Sequence, residues 1–306
     1  MKIRVIFAIG MLMFFGCAGK KKLSSVNQFD KIKNWVCVYS SDAPVDEIKK
    51  FDLAVLDSDS HPDLAKLKDS DTLLIGYISI GEVGDYRWYW NDIKDKPWLL
   101  DKNPNWDSYM IDVRNHEWQE LLNQQIIPKI LAKGFDGIFL DTIDNAEYLQ
   151  RYHPKKKYPM METAMVRLIK SIRKNFPAAY LIANRGFAIL DEIAGSIDAV
   201  VAESIFTTIN LEENITRRNT PQEYEPIIKQ LRKMKRKEGI KIFTLDYPNL
   251  ENESDIEEII ADSHALGFIP YISTPQLQKV YSHTLNGSSK RSEPPHPERS
   301  RRKRNR

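Results

Sequence analysis

Eight short apolar runs recur along the chain, separated by longer amphipathic stretches, and this alternation constrains the fold more than any other feature. The runs lie at 35–39, 53–56, 73–80, 137–140, 180–183, 199–202, 241–245 and 268–272. Their lengths suit buried strands. Most of the intervals carry helical patterns, the clearest at 117–133, 161–176, 221–238 and 254–266. Ser254, followed by Asp255, Glu257 and Glu258, predicts a capped and acidic first turn, and Gly239 and Gly267 close the last two helices. Strand–helix alternation predicts a parallel sheet, and eight units fit a closed α/β (β/α)₈ TIM barrel with a long, aromatic-rich connection after the third strand. An open doubly wound sheet would carry a glycine-rich phosphate loop after its first strand. Ser40-Ser41-Asp42-Ala43-Pro44 stands there instead. A small extra strand is expected within 107–113, and no internal repeat is visible.

The two ends differ from this body. Lys2 and Arg4 precede an apolar run over 5–15 and then Gly16-Cys17, which reads as a signal peptide over 1–16 of the lipoprotein type, with Cys17 lipidated. The expectation is an exported, membrane-anchored lipoprotein on the periplasmic or cell-surface face, otherwise a secreted protein. A short linker at 17–30 leads to a catalytic domain at 31–282, and a basic, disordered tail occupies 283–306. With Cys17 lipidated, Cys37 is the one remaining thiol, and its apolar surroundings mark it as a small buried hydrophobe.

The ends also distort the charge. The whole chain is +3, but residues 1–22 carry +5 and residues 290–306 carry +6, which leaves the body at −8. An acidic body argues against nucleic acid and suits a neutral or cationic ligand.

Polar residues fall immediately after the apolar runs. Asp57 follows the second run, and Glu82, Asp85 and Arg87 follow the third. Asp141, Asp144 and Asn145 follow the fourth, Asn184 and Arg185 the fifth, Glu203 the sixth, Asp246 and Tyr247 the seventh, and Ser273 and Thr274 the eighth. In a barrel all of these surround one mouth, where such folds place their chemistry. No His-x-x-x-His, Cys-x-x-Cys or serine nucleophile elbow is present, and none of the six histidines directly follows a run. Carboxylates dominate, and a pair of them can divide labour between a charged and a protonated form, as glycoside hydrolysis requires. Aromatic residues at 87–90, with Trp98 and Trp106, offer flat faces for sugar rings. Each acid also has a structural alternative. Asp141 can cap the next turn, Glu203 can pair with Arg185, and Asp112 with Arg114 can hold the extra strand.

The segments 77–87 (YISIGEVGDYR), 110–114 (MIDVR), 134–144 (GFDGIFLDTID), 184–187 (NRGF) and 202–204 (AES) resemble glycoside hydrolase family 114, which contains endo-α-1,4-polygalactosaminidases. The resemblance implies a TIM barrel acting on partly deacetylated, α-linked galactosamine polymers, a polysaccharide and cationic amino-sugar substrate. It implies a catalytic pair of Asp141 and Glu203. Asp141 would be the nucleophile and Glu203 the acid/base of a retaining reaction, roles taken from other α-acting barrels. Substrate-binding candidates are Tyr39, Asp57, Tyr77, Glu82, Asp85, Arg87, Asp112, Asp144, Asn184, Arg185, Asp246 and Tyr247. No cofactor, metal or nucleic-acid partner is implied; the membrane is reached through Cys17. Two other readings are a polysaccharide-binding barrel without catalysis, and a metal-dependent hydrolase using an all-oxygen site of Asp57, Asp141, Asp144 and Asp246.

Overall fold

The computed structural model describes residues 28–285, apart from 104, 154–157, 211, 212 and 214. The chain divides into two units, Met1–Lys31 and Ile32–Arg306. Cys17, the signal segment and all of the basic tail beyond 285 lie outside the described residues. Of the expected linker, residues 28–30 form a helical turn.

All eight predicted strands form. They are β1 (Trp35–Val38), β2 (Leu53–Asp57), β3 (Leu73–Ser79), β7 (Gly137–Asp141), β8 (Tyr180–Asn184), β9 (Ala199–Glu203), β12 (Lys241–Asp246) and β13 (Ile269–Ile272), parallel and hydrogen-bonded in that order. Both faces of these strands are buried, one against helices and one against the barrel interior, which is why their sequences run apolar without alternation. The edges β1 and β13 meet to bring the barrel nearly to closure. Trp35, wholly buried, donates its indole N–H to the Ile269 carbonyl at 3.0 Å and packs on Phe243 and Tyr271 at 5.2 and 5.7 Å. A large apolar surface with its one polar atom satisfied stabilises this seam by about 2–3 kcal/mol.

The helices follow the predicted pattern with local differences. Met161–Asn175 and Pro221–Glu238 match closely; the second starts with a Thr220–Glu223 capping box and ends at Gly239, φ 72°. The last begins at Glu253, and its cap is Asn252, whose side chain accepts from the Asp255 N–H at 3.3 Å. The expected cap, Ser254, lies inside that helix. The predicted helix at 117–133 consists of His116–Leu121 and Ile127–Ala132 joined by a π turn over Leu122–Ile126. Pro128 lacks the N–H that would continue regular bonding, and the wider turn absorbs that loss.

The long third connection holds more than the single expected strand. β4 (Glu82–Gly84), β5 (Leu99–Asn103) and β6 (Ser108–Ile111) form an antiparallel sheet in the order β4-β6-β5. A hairpin of β10 (Thr207–Asn210) and β11 (Ile215–Arg218) follows the sixth barrel strand, where no element was predicted. Its mixed, exposed residues bury no continuous face, so they carry no period to read.

Candidate active site

Five predicted site residues are the last residues of barrel strands: Asp57 of β2, Asp141 of β7, Asn184 of β8, Glu203 of β9 and Asp246 of β12. On the three adjacent strands β7, β8 and β9, the following residue is left-handed: Thr142 at φ 60°, Arg185 at φ 53° and Ser204 at φ 56°. Each such non-glycine costs on the order of 1 kcal/mol or more. The chain therefore turns sharply just beyond Asp141, Asn184 and Glu203. The surrounding bonds hold the turns in place. Thr142 Oγ1 accepts from the Gly81 N–H at 2.8 Å, and Arg185 donates to the Glu203 carbonyl at 3.0 Å and to Asp144 at 2.9 Å.

The strand ends surround a cavity of about 790 Å³. At its floor Asn184 Nδ2 donates to two carboxylates at once, to Asp141 Oδ1 at 2.8 Å and to Glu203 Oε2 at 2.6 Å. Two oxygens bonded to one nitrogen can be no farther apart than the two bonds laid end to end, here about 5.4 Å. The other oxygen of each carboxylate accepts from a tyrosine. Tyr77 reaches Asp141 Oδ2 at 2.8 Å, and Tyr247 reaches Glu203 Oε1 at 2.6 Å. Withdrawal from water and then the nearby Glu203 charge push the Asp141 carboxyl up to about 6, against the opposing bonds from Asn184 and Tyr77. Burial holds the Tyr77 and Tyr247 phenols well above their ordinary range, and the carboxylate beside each adds to this, so both remain donors. Tyr39 packs on Tyr77 with ring centres 4.7 Å apart and lines the same floor.

Arg87 is buried beneath one wall. It grips Asp57 in a two-pronged pair at 2.9 and 2.7 Å, reaches Asp59 at 3.0 Å, and lies against the rings of Tyr77 and Tyr86. The bonds and charge of Arg87 keep Asp57 below the usual carboxylate range, overcoming burial, which acts the other way. Arg87 thus supports Tyr77 from below, and Asp57 has both oxygens engaged. Glu82, also buried, accepts from Asn103 at 2.8 Å, from Asn145 at 2.6 Å and from the Ser108 hydroxyl. Asp144 and Arg185 pair at the mouth, both half-exposed. The structural alternative for Glu203 is not met at its side chain, because Arg185 bonds its backbone carbonyl.

Three predicted substrate-binding residues lie outside the cavity lining. Asp85 is exposed beside it. Asp112 is bound to Arg114 at 2.7 and 2.6 Å, next to the end of β6, which is its structural alternative. Asp246 is fully buried and turned to the hairpin, where Oδ1 accepts from the Phe206 and Thr207 N–H groups at 2.8 and 2.9 Å. Burial pushes it up to about 7, against those bonds. Its neighbour Tyr247 faces the cavity instead. A one-residue offset on a strand reverses the direction of the side chain, and position after an apolar run does not fix that offset. Asp57, Asp144 and Asp246 are thus engaged by three different sets of partners and do not converge with Asp141 on one point.

Asn145, one of the polar residues after the fourth run, lines the cavity as well. Several other lining residues were absent from the predicted set, among them Asn103, Ser108, Gln276 and Gln278. Asn103 and Ser108 arrive through the antiparallel insertion and had no such signal. Of the aromatic residues of the third connection, Tyr86, Tyr89 and Trp106 line the cavity. Trp98 is buried with its N–H on Glu117 at 3.0 Å, Trp90 stacks on Tyr109, and Trp88 carries Lys129 over its ring.

Comparison with known proteins agrees with this architecture. An uncharacterised protein of Thermotoga maritima is 26% identical over 314 residues, covering 92% of this chain and 93% of its own. The glycoside hydrolase domain of PelA from Pseudomonas aeruginosa superposes with a TM-score of 0.69 at 23% identity, covering 82% of this chain and all of that one. Ega3 from Aspergillus fumigatus, solved in complex with galactosamine, gives 0.58 at 13% identity, with 80% and 92% covered. Both structures share the barrel. The family model described as Glycoside-hydrolase family GH114 matches residues 19–289, and the chain therefore belongs to this family and is a glycoside hydrolase by family.

Proposed function

We propose that this protein hydrolyses an α-1,4-linked, galactosamine-containing and partly deacetylated polysaccharide with retention of anomeric configuration. The observation that carries the mechanism is the shared Asn184 donor, which keeps the bonded oxygens of Asp141 and Glu203 within about 5.4 Å of each other. Retaining pairs stand about 5–5.5 Å apart, whereas inverting pairs need about 6.5–9.5 Å to admit a water. Asp141 attacks the anomeric carbon as the glycosidic bond breaks, and Glu203 gives its proton to the leaving oxygen. Water then attacks the glycosyl ester and loses its proton to Glu203. Asp141 departs as carboxylate and the starting state returns. The reaction as proposed starts from Asp141 ionised and Glu203 protonated, with Tyr77 and Asn184 stabilising the Asp141 anion. The assignment of nucleophile to Asp141 follows the family resemblance. The acidic cavity and the −8 body favour a cationic amino-sugar polymer. Ega3, of the same fold, was solved with galactosamine, which points to the same sugar.

The test compares the wild type with Asp141→Asn and Glu203→Gln on a partly deacetylated α-1,4-galactosamine polymer. New reducing ends from the wild type alone, appearing first as the α anomer by NMR, are the expected result. An activated aryl glycoside separates the roles: Glu203→Gln still cleaves it and Asp141→Asn does not. A wild type that binds the polymer without cutting it would instead favour a binding barrel. The proposal extends to export with a lipid anchor at Cys17, supported by the N-terminal succession of basic residues, apolar run and Gly16-Cys17. Release of a Cys17→Ser variant from membranes, where the wild type stays bound, is the matching result.

A further inference from the structure

Glu203 Oε1 accepts from the Tyr247 phenol at 2.6 Å, and the reach of that phenol depends on where the backbone of residue 247 lies. β12 ends one residue earlier, at Asp246, and its pairing with β9 and β13 goes no further than Leu245 and Asp246. The Tyr247 N–H therefore stands beyond the ladder and needs another acceptor. It finds one across the mouth, in the hairpin that follows β9: Thr207 Oγ1, at 3.0 Å.

Thr207 is fixed in turn. Its N–H and its hydroxyl both donate to Asp246 Oδ1, at 2.9 and 3.1 Å, and the Phe206 N–H donates to the same oxygen at 2.8 Å. A hydroxyl can donate one bond and accept another, and Thr207 does both, giving its proton to Asp246 and taking the N–H of Tyr247. The bonds close a circuit. The end of β12 holds the hairpin through Asp246, and the hairpin holds the residue after β12 through Thr207. Glu203 belongs to the same circuit by the chain itself. It opens the short segment that Thr207 closes, and the left-handed turn between them at Ser204 is held by the Ser204 N–H on the Leu245 carbonyl at 2.8 Å. Thr207 and Asp246 are both buried and neither lines the cavity, so neither is placed to touch a sugar.

We infer that Thr207, held by Asp246, is a positioning residue for the acid step: it sets the backbone of Tyr247 and, through the phenol, the place of the Glu203 carboxyl. The inference rests on the proposed glycosidase function and adds to it a residue that acts without meeting substrate. An acid must lie within hydrogen-bond reach of the oxygen it protonates, so a displacement of about 1 Å is enough to slow the step.

The experiment compares the wild type with Thr207→Val, Thr207→Ser, Tyr247→Phe and the double variant Thr207→Val/Tyr247→Phe on two substrates. One is the partly deacetylated α-1,4-galactosamine polymer, whose leaving sugar needs a proton; the other is an activated aryl glycoside, whose leaving group does not. Valine matches threonine in shape and leaves both N–H bonds to Asp246 in place. Thr207→Val is expected to lower kcat on the polymer roughly fivefold or more with KM little changed, and to leave kcat/KM on the aryl glycoside within about twofold of the wild type. Thr207→Ser is expected to restore the polymer rate. In the Tyr247→Phe background the valine should cost little more, because the contact it disturbs is already gone. Thr207→Ala replaces Thr207→Val should the latter not fold. A wild-type kcat on polymer in the folded variant, an equal loss on both substrates, or full additivity with Tyr247→Phe overturns the inference, while cleavage by the wild type leaves the glycosidase reading intact. A wild type that cleaves neither substrate overturns both.

Discussion

At the scale of single residues, the site is a balance between two half-buried carboxyl groups and the donors that hold them. Asp141 illustrates it. Its carboxyl is pushed up to about 6, above the ordinary 3.8 of an unfolded chain. A group raised on folding contributes its full stability below the unfolded value and loses it as pH climbs through the folded one. The wild type therefore gives up stability between about pH 4 and 6, and Asp141→Asn does not. The variant should melt above the wild type at pH 7.5 by about 1–2 kcal/mol, with the difference vanishing near pH 4. Thermal melts across that range check this, and a variant less stable than the wild type at pH 7.5 would contradict it. In the proposed roles activity rises in the same window, because Asp141 attacks only as the anion and gains that form as pH climbs through about 6, and initial rates across the range check it.

At the scale of elements, close approach between strands governs what the sequence tolerates. Gly134 and Gly137 stand at the entry to the fourth barrel strand. Gly134 turns there, with φ 107° at the end of its helix. Gly137 does not turn; it is the first residue of β7, and a Cβ there would meet the Tyr180 carbonyl oxygen at 2.3 Å. Because that atom is backbone of the neighbouring strand, no rotamer relieves the clash. Gly137→Ala should destabilise the fold by about 2–3 kcal/mol and lower kcat by displacing Asp141 at the far end of the same strand. Denaturant midpoints and kinetics report both effects. A variant with wild-type stability would mean that β7 and β8 separate more easily than their pairing indicates.

At the scale of the whole molecule, charge is divided between regions. The basic ends conceal an acidic body, and the cavity concentrates carboxylates of which Asp141, Glu203 and Glu82 lack a cation partner among the described residues. Salt shortens the reach of such a field, from about 10 Å at 0.1 M to about 3 Å at 1 M. KM for a deacetylated polymer should therefore rise several-fold over that range with kcat little changed, while a fully N-acetylated polymer shows no such rise. Initial rates at several salt concentrations decide it, and parallel behaviour of the two polymers would remove charge from the account of recognition.

What the sequence determined by itself was the barrel and the places where polar residues gather at its mouth. Eight buried strands leave a period and a polar end that survive in one dimension, because burial on both faces admits only apolar residues until the strand meets the mouth. Asp141, Asn184 and Glu203 were legible in this way. The tertiary structure alone decided which polar residues face inward. Asp246 and Tyr247 are adjacent in the chain, yet one holds a hairpin and the other the Glu203 carboxylate, since direction alternates along a strand and register is set by the neighbouring strands. It also decided the partners that arrive from far away: Asn103 and Ser108 on Glu82 through an antiparallel insertion, and one asparagine between two acids, which limits the distance between the oxygens it holds. Such distances depend on packing between segments remote in sequence, and no local pattern encodes them.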